Sequence, residues 1–363
     1  AIADVDFERV GRALRDRDGA LRADRADLKA AYEKAAQYAD FRKMLEERKD
    51  IDAVLIATPD HHHALAARMA MERGLHVYVQ KPLTYSVREG RMLLDLARRN
   101  PRLVTQMGNQ GHSGDDGRRV IELLRGGAIG RVREVHVWTN RPAQIAPTSL
   151  NWDLWLGPAD IDWGFHPDYA HFNWRGWTPF GTGALGDMGA HLIDFPVWAL
   201  ELGLPTRVET RSTLWGGDAD PWDAKRPAQL SSYPLASTTH FEFGKARRGA
   251  VTLIWQDGGL MPPTPKDWPA DVKMNPVGGV LYVGDKGKLA HETYGEKPIV
   301  IGAEAQERAR KVPASLPRVQ GGIRGHELNW VRAIRGQEAI SNPIEVAAPL
   351  NETMLLGVVA LMA

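Results

Sequence analysis

The first third of the chain alternates strand-like and helix-like patterns. Ala53-Val54-Leu55-Ile56-Ala57 is a short continuous apolar run, the pattern of a strand covered on both faces. Thr58-Pro59-Asp60 breaks it, and Asp60 is placed to N-cap a helix running to about residue 73, with Gly74 as its C′ residue. His76-Val77-Tyr78-Val79 is the next strand. Ser86 caps a helix over 87–99 with Leu93, Leu94 and Ala97 on one face, and 103–107 reads as a third strand. Strands and helices joined by such short loops predict parallel βαβ units, hence a doubly wound Rossmann sheet.

Near residue 132 the pattern changes to half-buried alternation. It recurs over 132–138, 237–243 and 250–255, and 279–283 followed by Gly284-Asp285-Lys286-Gly287 predicts a hairpin. The expectation is a Rossmann domain over 1–125, then an α+β domain over 126–363 with one open, mostly antiparallel sheet. Pro- and Trp-rich loops at 139–182 and 256–277 interrupt it, and loops of that length are usually functional.

Composition narrows the classes. Of 363 residues, 43% are hydrophobic and 25% charged, enough to bury a core, and the net charge of +1 leaves no basic footprint for nucleic acid. No stretch offers the roughly 18 uncharged apolar residues of a membrane span. Without cysteine there is no thiolate nucleophile and no Cys-ligated metal. The glycine-rich turn that normally follows the first Rossmann strand is not in this sequence. It is expected to precede Ala1, and both ends read as cuts in a longer protein, which leaves the compartment open between cytoplasm and periplasm.

A doubly wound sheet binds its ligand at the carboxyl ends of its strands. Asp4, ending an apolar strand, can accept both ribose hydroxyls of NAD and repel the 2′-phosphate of NADP. Thr58, Pro59 and the three histidines 61–63 end the next strand. Consecutive helical residues point about 100° apart and cannot easily share one ion, so they read as a solvated helix start beside the cofactor, with His63 nearest the dinucleotide. Gln80-Lys81-Pro82 ends the following strand, where Lys81 can polarise a substrate oxygen. Asn109 and Gln110, after the third, can bind the nicotinamide carboxamide or the substrate. In Gly183-Ala184-Leu185-Gly186-Asp187-Met188-Gly189-Ala190-His191, Asp187 and His191 stand four apart on one helix face. Histidine can take the proton of a secondary alcohol while the carboxylate orients it. No third ligand with fitting spacing makes this a metal pair.

These two motifs resemble those of the Gfo/Idh/MocA oxidoreductases: Gln80-Lys81-Pro82 is similar to the family's Glu-Lys-Pro, with Gln80 replacing the usual Glu, and the segment from Gly183 to His191 to its glycine-rich motif. The resemblance implies catalytic Lys81, Asp187 and His191, a cofactor border of Asp4, Thr58, Pro59 and His63, and an open sheet used for homo-oligomerisation. A neutral Gln80 should pull less on the Lys81 ammonium. Segments 107–113, 151–158, 171–177 and 256–260 resemble one bacterial branch, whose relatives include NAD-dependent N-acetylgalactosaminidases and are often exported already folded. The leading expectation is oxidation of a sugar or cyclitol hydroxyl by NAD, with His112, Tyr169, His171, Trp174 and Arg175 toward the substrate and loop tryptophans stacking on sugar C–H faces. The rivals are a glycoside hydrolase that borrows the hydride and a non-enzymatic sugar or NAD sensor.

Overall fold

The computed structural model describes residues 1–15, 22–141, 152–166, 169, 173–213 and 232–363. Its first layer is parallel throughout. β1 (Ile2–Ala3) pairs with β2 (Gln37–Tyr38), and β3 (Ala53–Ile56), β4 (His76–Val79) and β5 (Thr105–Met107) form a second parallel sheet in that order. The helices Asp60–Met71 and Val87–Arg99 connect β3 to β4 and β4 to β5. Each boundary has a physical cause. Gly74 turns the chain at φ +79 after the first helix. Ser86 and Glu89 exchange side-chain and backbone bonds at 2.9 and 3.3 Å, a complete capping box. Asp60 does not cap its helix; Pro59 takes the N-cap position, and the Asp60 side chain goes elsewhere. Nor is β3 covered on both faces. Leu55, on one of its faces, is 52% exposed, and among the described residues the strand pairs with β4 alone.

The second layer is a seven-stranded sheet built from β6 (Val132–Thr139), β7 (Arg207–Ser212), β8 (Ser237–Phe243), β9 (Val251–Gln256), β10 (Gly278–Gly284), β11 (Gly287–Glu292) and β12 (Ile299–Ile301). Its order is β12-β11-β10-β6-β9-β8-β7, antiparallel except where β6 meets β9. The expected hairpin turns at Asp285-Lys286. On the inner face, Phe241, Phe243, Leu253 and Trp255 join the main core. On the outer face, the 256–277 loop does not stand free: Met261, Trp268 and Met274 pack over Trp138, Leu281 and Ala290.

The helix Ile344–Met362 joins the layers, packing on Val87–Arg99 from the first and on Gly183–Leu192 and β7 from the second. It is long and apolar enough to cross a membrane, yet 61% of its apolar window is buried inside the molecule. Gly357 is its closest approach. A Cβ there would overlap Leu185 and lie 2.7 Å from the Phe241 ring. Gly357→Ala should therefore lower stability: overpacking of about 1–3 kcal/mol exceeds the roughly 0.5–1 kcal/mol gained in helix propensity. Denaturant unfolding checks this, and an unchanged or raised midpoint would show that the contact is loose.

Candidate active site

The carboxyl ends of the parallel strands present the residues expected around a dinucleotide. Asp4 follows β1; burial holds its carboxyl above the usual range, and its Oδ1 accepts the Asp6 N–H at 2.8 Å. Thr58 follows β3, its hydroxyl buried with no partner. Gln80 follows β4 and lies against Gly108, where any Cβ would come within 2.6 Å of the Gln80 amide oxygen. A half-buried carboxylate and an orphaned hydroxyl, each at the carboxyl end of a parallel strand, fit the polar ribose and phosphate groups of a dinucleotide.

The first turn of the Asp60–Met71 helix departs from expectation, because all four of its polar side chains are buried. Asp60 Oδ2 accepts the Thr182 N–H at 3.1 Å and the Thr182 hydroxyl at 2.7 Å. The His61 ring lies between the Phe180 and Trp155 carbonyls, 3.1 Å from each, and His62 Nε2 is 2.7 Å from the Trp155 carbonyl. His63 spans the Pro82 carbonyl at 2.7 Å and the Thr58 carbonyl at 2.8 Å. Burial pushes His61 down to about 3 and His63 to about 4. Each ring is thus neutral and donates to one of its two carbonyls. Both His63 nitrogens face protein carbonyls, so His63 braces the dinucleotide edge rather than binding there. Among the described residues, no group of three or more His, Cys, Asp or Glu side chains could hold a metal.

Lys81 meets the helix Gly183–Leu192 at the centre. Its ammonium donates to the Asp187 carbonyl at 2.8 Å and to Asp187 Oδ1 at 2.5 Å. Arg175 Nε also reaches Oδ1, at 3.2 Å, while its guanidinium lies 4.1 Å from the centroid of Trp174. Burial alone would raise Asp187, but Lys81 and Arg175 outweigh it and hold the carboxyl at about 2. His191, one turn on, is buried with Nδ1 unpartnered and its ring edge-on to Tyr294 at 4.9 Å. Burial, reinforced by the Lys81 charge, lowers it to about 3, so the imidazole is neutral. Asp187 makes no hydrogen bond to His191; it holds Lys81. That differs from the expected Asp–His pair and supplies the carboxylate that Gln80 does not.

Other expected residues lie elsewhere. Asn109 donates to Asp194 Oδ2 at 3.1 Å and accepts from the Asn342 amide. His112 bonds Asp194 at 2.8 Å and stacks on Trp198 at 4.1 Å. Both are buried, with these polar atoms turned toward protein partners. Gln110 opens the short turn Gln110–Ser113. Tyr169 sits among Trp152, Trp163, Trp177 and Phe180, rings that pack on one another instead of offering open faces to a sugar. His171 lies outside the described residues. Thr182 and Tyr294 were missed. A Thr before a glycine-led helix is a readable N-cap signal, whereas Tyr294 reaches His191 from beyond β11 with no local signature.

Strand-end residues suited to a dinucleotide, beside a lysine, a carboxylate and a neutral histidine, define an NAD-binding oxidoreductase architecture. Residues 13–107 match a family model described as "Oxidoreductase family, NAD-binding Rossmann fold", and 135–212 match its "C-terminal alpha/beta domain". The chain belongs to the Gfo/Idh/MocA oxidoreductase family. It is 36% identical over 102 residues to a "Glycosyl hydrolase family 109 protein" of Shewanella pealeana, covering 27% of this chain and 22% of that protein. A levoglucosan dehydrogenase of Pseudarthrobacter phenanthrenivorans is 28% identical over 155 residues, 43% of this chain and 34% of its own. The chain thus matches only about a fifth to a third of these relatives' lengths. The WlbA dehydrogenase of Bordetella pertussis, solved with NADH and UDP-GlcNAcA, shares the fold: TM-score 0.60 at 14% identity, over 99% of this chain and 86% of that one.

The buried neutral histidines set the acid stability. His61 and His191 at about 3 and His63, His291 and His326 at about 4 stay neutral when folded, while the unfolded chain protonates them near 6.5. Their stabilisation is complete above 6.5 and is lost as pH falls below it, each group by about 1.4 kcal/mol per pH unit. Asp60, raised to about 7, acts oppositely over the same range, as do Asp4, Glu89 and Asp257, whose carboxyls burial also raises, but the five histidines outweigh them. Thermal unfolding should therefore drop steeply from pH 6.5 to 4.5; a flat profile would mean the rings are solvated.

Proposed function

We propose that this chain oxidises a ring hydroxyl of a sugar or cyclitol, with NAD as acceptor. The observation that carries this is the Lys81–Asp187 pair beside a neutral, buried His191. When bound, NAD supplies the carbon that accepts the hydride; Asp4, Thr58, Pro59, Gln80 and Lys81 would hold it, and Asp4 disfavours the 2′-phosphate of NADP. An ammonium has three protons, and Asp187 engages two. The third remains for the substrate oxygen, where it stabilises developing negative charge. His191, neutral throughout the physiological range, is ready to take the hydroxyl proton. Arg175 and Asp187 fix the lysine so that little reorganisation accompanies the reaction.

A second reading is favoured by the stretch shared with the glycosyl hydrolase family 109 protein: the same groups would serve a glycosidase that returns the hydride. The two separate in one assay. A dehydrogenase forms NADH from a panel of sugars and leaves nitrophenyl glycosides intact; a redox-assisted hydrolase releases nitrophenol without net NADH.

In either case Lys81→Met and His191→Ala should each lower kcat/KM by roughly 10²–10⁴-fold, the usual contribution of a positioned acid or base. Steady-state kinetics checks this. Undiminished turnover in His191→Ala would remove the base assignment. Because His191 remains neutral well below pH 6.5, its own titration should leave no acid limb near 6.5 in kcat/KM of the Asp60→Asn protein, in which the Asp60 carboxyl no longer titrates.

A further inference from the structure

Asp60 is buried, 2% exposed, and no step of the proposed reaction uses it. Its place is unusual. It starts the helix after β3, on the cofactor side, yet its Oδ2 accepts both the backbone N–H and the hydroxyl of Thr182, the N-cap of the Gly183–Leu192 helix. Gly186, one turn on, has no room for a Cβ because the Thr182 side chain fills the space. Thr182 is thus pinned from two sides, by Asp60 and by the backbone of the helix it begins. Asp187 and His191 follow on that helix at its fifth and ninth residues.

We propose that Asp60 is a positioning residue, tying the strand end that borders the dinucleotide to the helix that carries Asp187 and His191. The proposal rests on the reading of Lys81, Asp187 and His191 as the reacting cluster. Asp60 Oδ1 is buried with no partner. An unpaired anionic oxygen is costly there, so Oδ1 is where a proton goes, leaving Oδ2 free to keep Thr182. Burial pushes the carboxyl up to about 7; Thr182, Lys81 and Arg175 pull it down and Asp187 pushes it up, while the hydroxyls of Tyr85 and Tyr233 face it from two further segments. Near neutrality the tie therefore alternates between a charge-assisted and a neutral form, and the charged form is the stronger acceptor.

The variants are Asp60→Ala, Asp60→Asn and Thr182→Val in the full chain. Asp60→Ala should lower kcat roughly tenfold with KM for the sugar little changed, the cost of one lost buried hydrogen-bonded tie. Asp60→Asn keeps a neutral acceptor for Thr182 and should recover only part of that loss, up to the level of the wild type with Asp60 protonated. Wild-type kcat should fall roughly threefold as pH drops through about 7, less than the loss in Asp60→Ala, because the acceptor becomes neutral but is not removed. Asp60→Asn should stay at the acid plateau at every pH. A readout independent of turnover is hydrogen exchange of the 183–192 amides. It should accelerate in Asp60→Ala and in Thr182→Val, with the double variant no faster than either. Should the wild type oxidise no sugar, the functional reading fails while exchange still decides this proposal. Unchanged exchange, additive effects of the two substitutions, or wild-type kcat in a folded Asp60→Ala protein would overturn it.

Discussion

The ion pair between Lys81 and Asp187 is the interaction on which the rest of the site depends. It joins a strand end of the parallel layer to a helix lying against the antiparallel one, and both partners are largely shielded from water. Two charges held in such surroundings are costly unless each has further partners. Both have them. Lys81 takes the Asp187 carbonyl as well as the carboxylate, and Asp187 takes Arg175. The pair keeps the carboxylate ionised and the lysine in place, and its positive charge helps keep His191 neutral. Removing Asp187 would leave the Lys81 ammonium buried without its carboxylate, and removing Lys81 would leave Asp187 with Arg175 alone, so the geometry and the electrostatics of the site are coupled.

Around that pair the first turn of the Asp60–Met71 helix acts as the frame. Its side chains reach four separate segments: Thr182 through Asp60, Phe180 and Trp155 through His61, Trp155 again through His62, and Pro82 with Thr58 through His63. Three of these contacts end at or beside elements of the site: Thr58 itself, Pro82 next to Lys81, and Thr182 at the start of the helix that carries Asp187 and His191. A run of histidines that suggests a metal or a wet surface is a set of neutral buried donors binding backbone carbonyls.

Much of this was legible in the sequence. Periodicity located β3, β4, β5 and the two helices between them, where apolar runs and short loops mark parallel βαβ units; β2 and the helices before residue 50 carry no such pattern. Strand ends then placed Asp4, Thr58 and Lys81, and four-residue spacing placed Asp187 and His191 on one helix. What escaped is long-range. That Asp187 would reach for Lys81 in place of His191 depends on two layers meeting, which no local pattern encodes. The partners of His61 and His62 are loop carbonyls about 90 to 120 residues away. Asn109 and His112 stand after a strand end, where ligand contacts are expected, but Asp194 draws them inward. The loop tryptophans pack against one another because that buries more apolar surface than leaving the rings open.

The central claim is that the cluster moves a hydride from a sugar carbon while His191 takes the hydroxyl proton. The most direct measurement uses a sugar deuterated at the carbinol carbon, with mass analysis of the nicotinamide cofactor after turnover. Deuterium on the reduced cofactor, with slower turnover of the labelled sugar and no transfer in the His191→Ala protein, is the predicted result. Turnover that leaves every deuterium on the sugar and none on the cofactor would contradict it.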